Sequence, residues 1–197
     1  MLMAVFCLGA SLIGINAQEK DWANLQRYAQ QNAELPKPDK NEKRVVFMGN
    51  SITEGWVNTH PDFFKSNGYI GRGIGGQTSY QFLVRFREDV INLSPALVVI
   101  NAATNDIAEN TGAYHEDRTF GNIVSMVELA KANHIKVILT TTLPAAAFGW
   151  NPAIKDAPQK IASLNARLKA YAQTNKIPFV DYYSSICLLY TSDAADE

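Results

Sequence analysis

Short runs rich in Val, Ile and Leu recur along this chain, and segments of helical periodicity lie between them. The runs are Val45–Met48, Ala96–Asn101, Lys136–Leu143 and Pro178–Asp181, with a glycine-containing one at Tyr69–Gly73. An apolar run this short, bounded by turn residues, reads as a strand buried on both faces. Between the runs, Thr78–Leu93 places Phe82, Phe86 and Val90 on one side. Thr119–Asn133 does the same with Ile123, Val127 and Ala130, and Gln159–Asn175 with Ile161, Leu164, Leu168 and Tyr171. Such spacing marks amphipathic helices. Alternating strands and helices build βαβ units, and hence a parallel sheet covered on both faces. Right-handed crossovers make a three-layer α/β/α sandwich the expected architecture.

The most informative run ends at Ser51. In Arg44–Trp56, RVVFMGNSITEGW, the strand Val45–Met48 reaches Gly49, which permits a tight bend, and Ser51 falls where a helix would begin. Ligands of open α/β sheets bind outside the carboxyl ends of the strands. A serine there has a commoner job, capping the helix. Two later segments weigh against that: Gly71-Arg-Gly-Ile-Gly-Gly-Gln-Thr78, and Ala102-Ala-Thr-Asn-Asp106 directly after Leu97–Ile100. Gly76 could be a plain turn glycine and Asn105-Asp106 a capping pair, but three sheet-edge loops together suggest one site.

In order and spacing the three segments resemble the blocks of the SGNH (GDSL-type) hydrolases, from about Arg44 to Asp181. The resemblance implies a flavodoxin-like sandwich and a serine esterase working through an acyl-serine, with no metal or cofactor. By motif position it implies Ser51 as nucleophile, and Gly76 and Asn105 as donors of an oxyanion hole. Acyl transfer needs such donors where the tetrahedral intermediate becomes negative. Glycine lets the backbone approach substrate, and an Asn amide donates without bringing a charge. The family's Asp beside the serine is Asn50 here, and its third-block glycine is Ala102 or Ala103.

A serine hydroxyl also needs a base. The family's Asp-x-x-His, which follows the last strand, is not present in the 197 residues. The three histidines lack its context: His60 and His115 fall in loops, and His134 in a turn at the amino end of a strand. The chain as it stands is therefore expected to be nearly inactive, with apolar surface uncovered where the family's last helix packs.

At 197 residues and 47% hydrophobic content the chain suits one full-sized domain, and a net charge of −1 argues against nucleic acid or anionic membrane as partner. Residues 1–17 read as a secretory signal peptide, implying a secreted or periplasmic protein with no membrane span once mature. Residues 18–43 read as an N-terminal helix, Glu19–Leu35, and a charged linker, and residues 44–186 as the hydrolase domain, incomplete at its carboxyl end. Cys187–Glu197 back-translates to something resembling a transposase sequencing adapter and reads as foreign.

Gly71–Gly76 also fits the G-x-G-x-x-G dinucleotide pattern, but it does not follow the first strand, and Gln77 stands where a P-loop needs Lys. The preferred substrate is a small acyl ester, acetyl on polysaccharide, with Asn50, Trp56 and Trp150 as candidate contacts. A lysophospholipase-like or thioesterase-like acylhydrolase, or a non-catalytic carbohydrate-binding protein on the same fold, is the alternative.

Overall fold

Five parallel strands in the order β2-β1-β3-β4-β5 form the sheet of the computed structural model, which describes residues 21–193. The strands are β1 (Val45–Gly49), β2 (Tyr69–Gly73), β3 (Leu97–Ile100), β4 (Lys136–Thr140) and β5 (Phe179–Val180). The helices are α1 (Gln26–Glu34), α2 (Ser51–Thr59), α3 (Pro61–Ser66), α4 (Ser79–Asp89), α5 (Thr104–Ile107), α6 (Glu116–Ala132), α7 (Ala157–Thr174) and α8 (Tyr182–Asp193). The fold is the expected α/β sandwich. The segment read as a signal peptide lies outside the described residues, as do the last residues of the segment read as foreign; α8 runs through the boundary proposed at 186/187.

Chain order and strand order explain which face each helix covers. From β1 the chain steps one way to β2 and then crosses back to β3, β4 and β5. With right-handed crossovers, α2 and α3 fall on one face, and α4, α6 and α7 on the other. The latter three pack side by side over Met48, Phe82, Phe86, Ile123, Met126 and Leu164, all buried. Reversal at β1 makes the carboxyl edge around β1 and β3 the switch point where such sheets bind ligands. Register lines up the exits: Gly49 pairs with Gly73, and Met48 with Ile100.

Element ends differ from the sequence expectation for local reasons. Helix α1 begins only at Gln26, because Asn24 sits at φ 54° and the Asp21 carboxylate takes the Leu25 and Gln26 amides at 2.8 and 3.0 Å. Strand β4 stops at Thr140 rather than Leu143, since the Thr142 amide turns to the Asn165 side chain at 2.8 Å. Helix α4 ends at Asp89 and a 3₁₀ turn, Ile91–Leu93, completes the connection.

Glycine is required where α2 leans on β2. A Cβ on Gly73 would lie 2.3 Å from the Glu54 nitrogen and 2.7 Å from the Asn50 carbonyl oxygen, both backbone atoms that cannot step aside. Gly73→Ala is expected to lower stability by about 3 kcal/mol, the upper end for overpacking, because it pushes away the first turn of α2. Urea denaturation of both chains measures it.

Candidate active site

Strand β1 feeds its last residue, Gly49, into Asn50, and Asn50 rather than Ser51 caps α2. The Asn50 side-chain oxygen accepts the Ile52 amide at 3.0 Å. Ser51 is thus released from the capping job and occupies the first helical position, exposed at the sheet edge. Among the described residues its hydroxyl and its amide make no hydrogen bond. The helix dipole adds a favourable potential for negative charge at this end.

The β2–α4 loop runs beside it. A Cβ built on Gly75 would lie 3.7 Å from Ser51 Cβ. Almost every amide of the loop is engaged: Ile74 N–H donates to Gly49 O at 3.1 Å, Gly75 N–H to Glu54 Oε2 at 2.8 Å, and Gln77 N–H to Ile74 O at 3.4 Å. Thr78 N–H donates to Gln81 Oε1 at 3.0 Å, closing a capping box on α4. Gly76 is the exception. Its φ of +75° is one that glycine adopts readily, and its N–H has no partner among the described residues. The Gly76 carbonyl is held instead, by Asn110 Nδ2 at 2.9 Å.

The third loop supplies Asn105. After β3 the backbone turns left-handed at Ala103, φ 82°, which identifies Ala103 as the residue at the glycine position. Helix α5 then presents Asn105, 3% exposed, with one amide hydrogen on Gln77 O at 2.9 Å and the second free of protein partners among the described residues. Asp106 fastens the loop from behind. Its carboxylate accepts the Ser79 amide at 2.9 Å, the Ser79 hydroxyl, and the Thr119 hydroxyl at 3.2 Å. Burial pushes the Asp106 carboxyl up, and the Ser79 and Thr119 donors oppose that rise. Ser51 at the start of α2, Gly76 in the β2–α4 loop and Asn105 on α5 therefore follow three neighbouring strands, linked through Gly75 and Gln77.

The proposed substrate contacts fare differently. Asn50 is 1% exposed and spends its oxygen on the cap, so its visible work is structural. Trp56 lies on α2. Five residues beyond Ser51 it points about 140° away around α2, at about 100° per residue. It stacks on Phe63 with centroids 5.4 Å apart and joins Phe47 and Phe64 against the sheet. Trp150 does reach the mouth. It is 61% exposed, and its indole N–H donates to Asn110 Oδ1 at 2.9 Å, one residue's reach from Gly76.

Among the described residues no histidine is hydrogen-bonded to the serine. His60 Nδ1 pairs with the Thr59 hydroxyl at 2.8 Å at the far end of α2. His134 lies beside Lys136 and Pro178 at the amino edge of the sheet, as expected, and His115 is exposed at the start of α6. Sequence reading passed over Glu54 and Asn110. The Ser51-x-x-Glu54 spacing was a signal for Glu54, since it mimics a capping box, whereas nothing local marks Asn110.

A parallel sheet with an exposed serine after its first strand, a glycine loop after the second and an asparagine loop after the third defines an α/β/α hydrolase of the SGNH class. The chain belongs to the GDSL-like lipase/acylhydrolase family, a family of carboxylic ester hydrolases, which matches residues 47–196. It is similar to a Bacteroides fragilis protein described as an acylhydrolase, with 99% identity, TM-score 0.84, and coverage of 85% of this chain and 80% of that one. A GDSL-like lipase from Bacteroides thetaiotaomicron is 78% identical, with TM-score 0.82 over 83% of this chain and 80% of its own. An acetyl xylan esterase variant from Geobacillus stearothermophilus, 18% identical over 79% of this chain and 82% of its own with TM-score 0.60, shares the fold. An uncharacterized lipoprotein of Bacillus subtilis is 32% identical over 117 residues, 51% of this chain; the chain spans about half the length of that relative, 48%. Among the described residues no helix is long and apolar enough to cross a membrane.

Two substitutions test the loop. Asp106→Ala strands three buried donors and is expected to cost about 3 kcal/mol, seen as a lowered denaturation midpoint. Ala103→Gly relieves a left-handed alanine and is expected to raise stability by up to about 1 kcal/mol, measured the same way.

Proposed function

We propose that this protein is a serine esterase that hydrolyses small acyl esters, acetyl groups on carbohydrate in particular, through an acyl-serine intermediate. The observation that carries the reading is the amide accounting around Ser51. The Ser51 N–H, the Gly76 N–H and one Asn105 amide hydrogen lack protein partners among the described residues, while the other amides of the Gly76 loop are engaged. Donors left open at three neighbouring strand exits suit an oxygen that becomes negative during reaction. In the proposed reaction Ser51 Oγ bonds to the acyl carbon, its proton passes to a base, and the tetrahedral oxygen draws on the three donors. Collapse expels the alcohol, and water then releases the acid. Trp150, exposed and fixed by Asn110, offers a face for a sugar ring. Export to the cell surface or beyond, to where such polysaccharides lie, fits the apolar start of the sequence.

A second reading, longer acyl chains, is favoured by one feature. An apolar cavity of about 270 Å³ lies under α2 against the sheet, lined by Ile52, Trp56, Met48, Val99, Leu143 and Ile186 among others. A series of p-nitrophenyl esters from acetate to octanoate separates the two: acetate should be preferred if the first reading holds.

The Ser51 hydroxyl is bonded to no histidine among the described residues, and we propose that without such a base the serine and the donors support only residual acyl transfer. Such remnants retain about 10³–10⁴-fold acceleration over water. Extending the chain with a segment carrying Asp-x-x-His should raise turnover of an aryl acetate well above that level. Ser51→Ala should abolish it, and Asn105→Ala should slow it about a hundredfold. Ordinary esterase rates from the unextended chain would refute the need for that base, and hydrolysis surviving Ser51→Ala would refute the nucleophile.

A further inference from the structure

The family match starts at residue 47, yet the segment before it lies against the loop that carries Gly76. That loop follows Gly73, the last residue of β2, and holds Gly75 and Gly76, so it has more conformational freedom to lose than most. The N-terminal arm and α2 hold it at three stations. The Tyr28 hydroxyl donates to the Gly73 carbonyl. Glu54 Oε2 accepts the Gly75 amide at 2.8 Å, while Glu54 Oε1 accepts Arg27 Nη2 at 3.1 Å. Gln77 Nε2 donates to the Ala23 carbonyl at 2.7 Å. The arm is itself anchored, because Asn32 on α1 takes Arg72 Nη2 at 2.7 Å and gives its amide to Asp89 at 2.7 Å.

From this we infer that residues 21–34 and Glu54 form a brace for the oxyanion loop, with Glu54 and Arg27 as positioning residues; the inference rests on the esterase reading above. Glu54 lies one turn beyond Ser51 on α2, so its grip on Gly75 fixes the loop relative to the nucleophile's own helix. The same position carries a liability. A carboxylate beside an oxyanion hole opposes the negative charge that develops there. Arg27 answers it, neutralising Glu54 without making a hydrogen bond to the loop among the described residues. The pair is part-exposed, with side chains 44% and 26% accessible, and such pairs add little to stability. Its consequence is therefore expected in the loop and the chemistry rather than in the melting point.

The experiment uses the full 197-residue chain. Hydrogen–deuterium exchange is followed in the peptide covering residues 69–78, and Ser51 acylation by p-nitrophenyl acetate is timed by nitrophenol release and intact mass. Arg27→Ala should speed exchange at Gly75, whose amide Glu54 holds, slow acylation roughly tenfold without weakening ester binding, and leave the unfolding midpoint nearly unchanged. Adding Glu54→Gln keeps an acceptor for the Gly75 amide and removes the unpaired charge, so the double variant should recover most of the acylation rate. A purely structural role would show no charge-specific recovery. Unchanged loop exchange in Arg27→Ala overturns the brace, whether or not the chain turns over ester. Acylation that persists in Ser51→Ala overturns the esterase reading instead, and the exchange result then judges the brace alone.

Discussion

Arg85 sits at 0% exposure where β1, β2 and the Gly76 loop meet, and a guanidinium in such a place is very costly without partners. Here it has four bonds. Nε donates to Gln77 Oε1 at 2.6 Å and Nη1 to Asp89 Oδ2 at 2.7 Å, while Nη2 reaches Gly49 O at 3.1 Å and Arg72 O at 2.8 Å. The Asp89 carboxylate balances the charge. One side chain on α4 thereby fixes the last carbonyl of β1, a carbonyl of β2 and the side chain of Gln77, whose own carbonyl takes Asn105. The exits of β1, β2 and β3 are thus tied together by hydrogen bonds.

The site is built by subtraction as much as by placement. A glycine loop at a sheet edge could leave many amides open to water; this one closes nearly all of them, onto Gly49, Glu54, Ile74 and Gln81, and leaves Gly76. Asn50 does the same for α2 by taking the cap, which frees Ser51 at the first helical position. Asp106 anchors the third loop to the starts of α4 and α6 through Ser79 and Thr119. Preorganisation of this kind matters because donors already fixed in place need no reorganisation when charge appears.

Much of this was legible in the residues, and the failures have physical causes. Strands β1 and β3 were readable because a strand buried on both faces is largely apolar; β2, an edge strand carrying Arg72, also lies where expected. Strand β4 was read too long: Thr141 and Thr142 suit a strand by type, but Asn165 on α7, far along the chain, claims the Thr142 amide. Helix α1 was read too early because Trp22 and Leu25 keep the helical period; a carboxylate from Asp21 and a left-handed Asn24 decide otherwise. Trp56 was read as a candidate substrate contact from its type; its angle around α2 puts it in the aromatic cluster on the sheet, beside the apolar cavity, which no local pattern foretells.

Taken alone, the sequence determined the strand–helix alternation, the parallel sheet, and the three segments that leave its carboxyl edge, since each follows from local periodicity and from the few topologies that right-handed crossovers allow. Tertiary structure alone decided which groups at that edge stay open: Glu54 meets Gly75 across 21 residues, Gln77 meets Ala23 across 54, and Asn110 meets Gly76 across 34. Whether a donor is spent or available depends on the nearest acceptor in space, and no pattern along the chain records that distance.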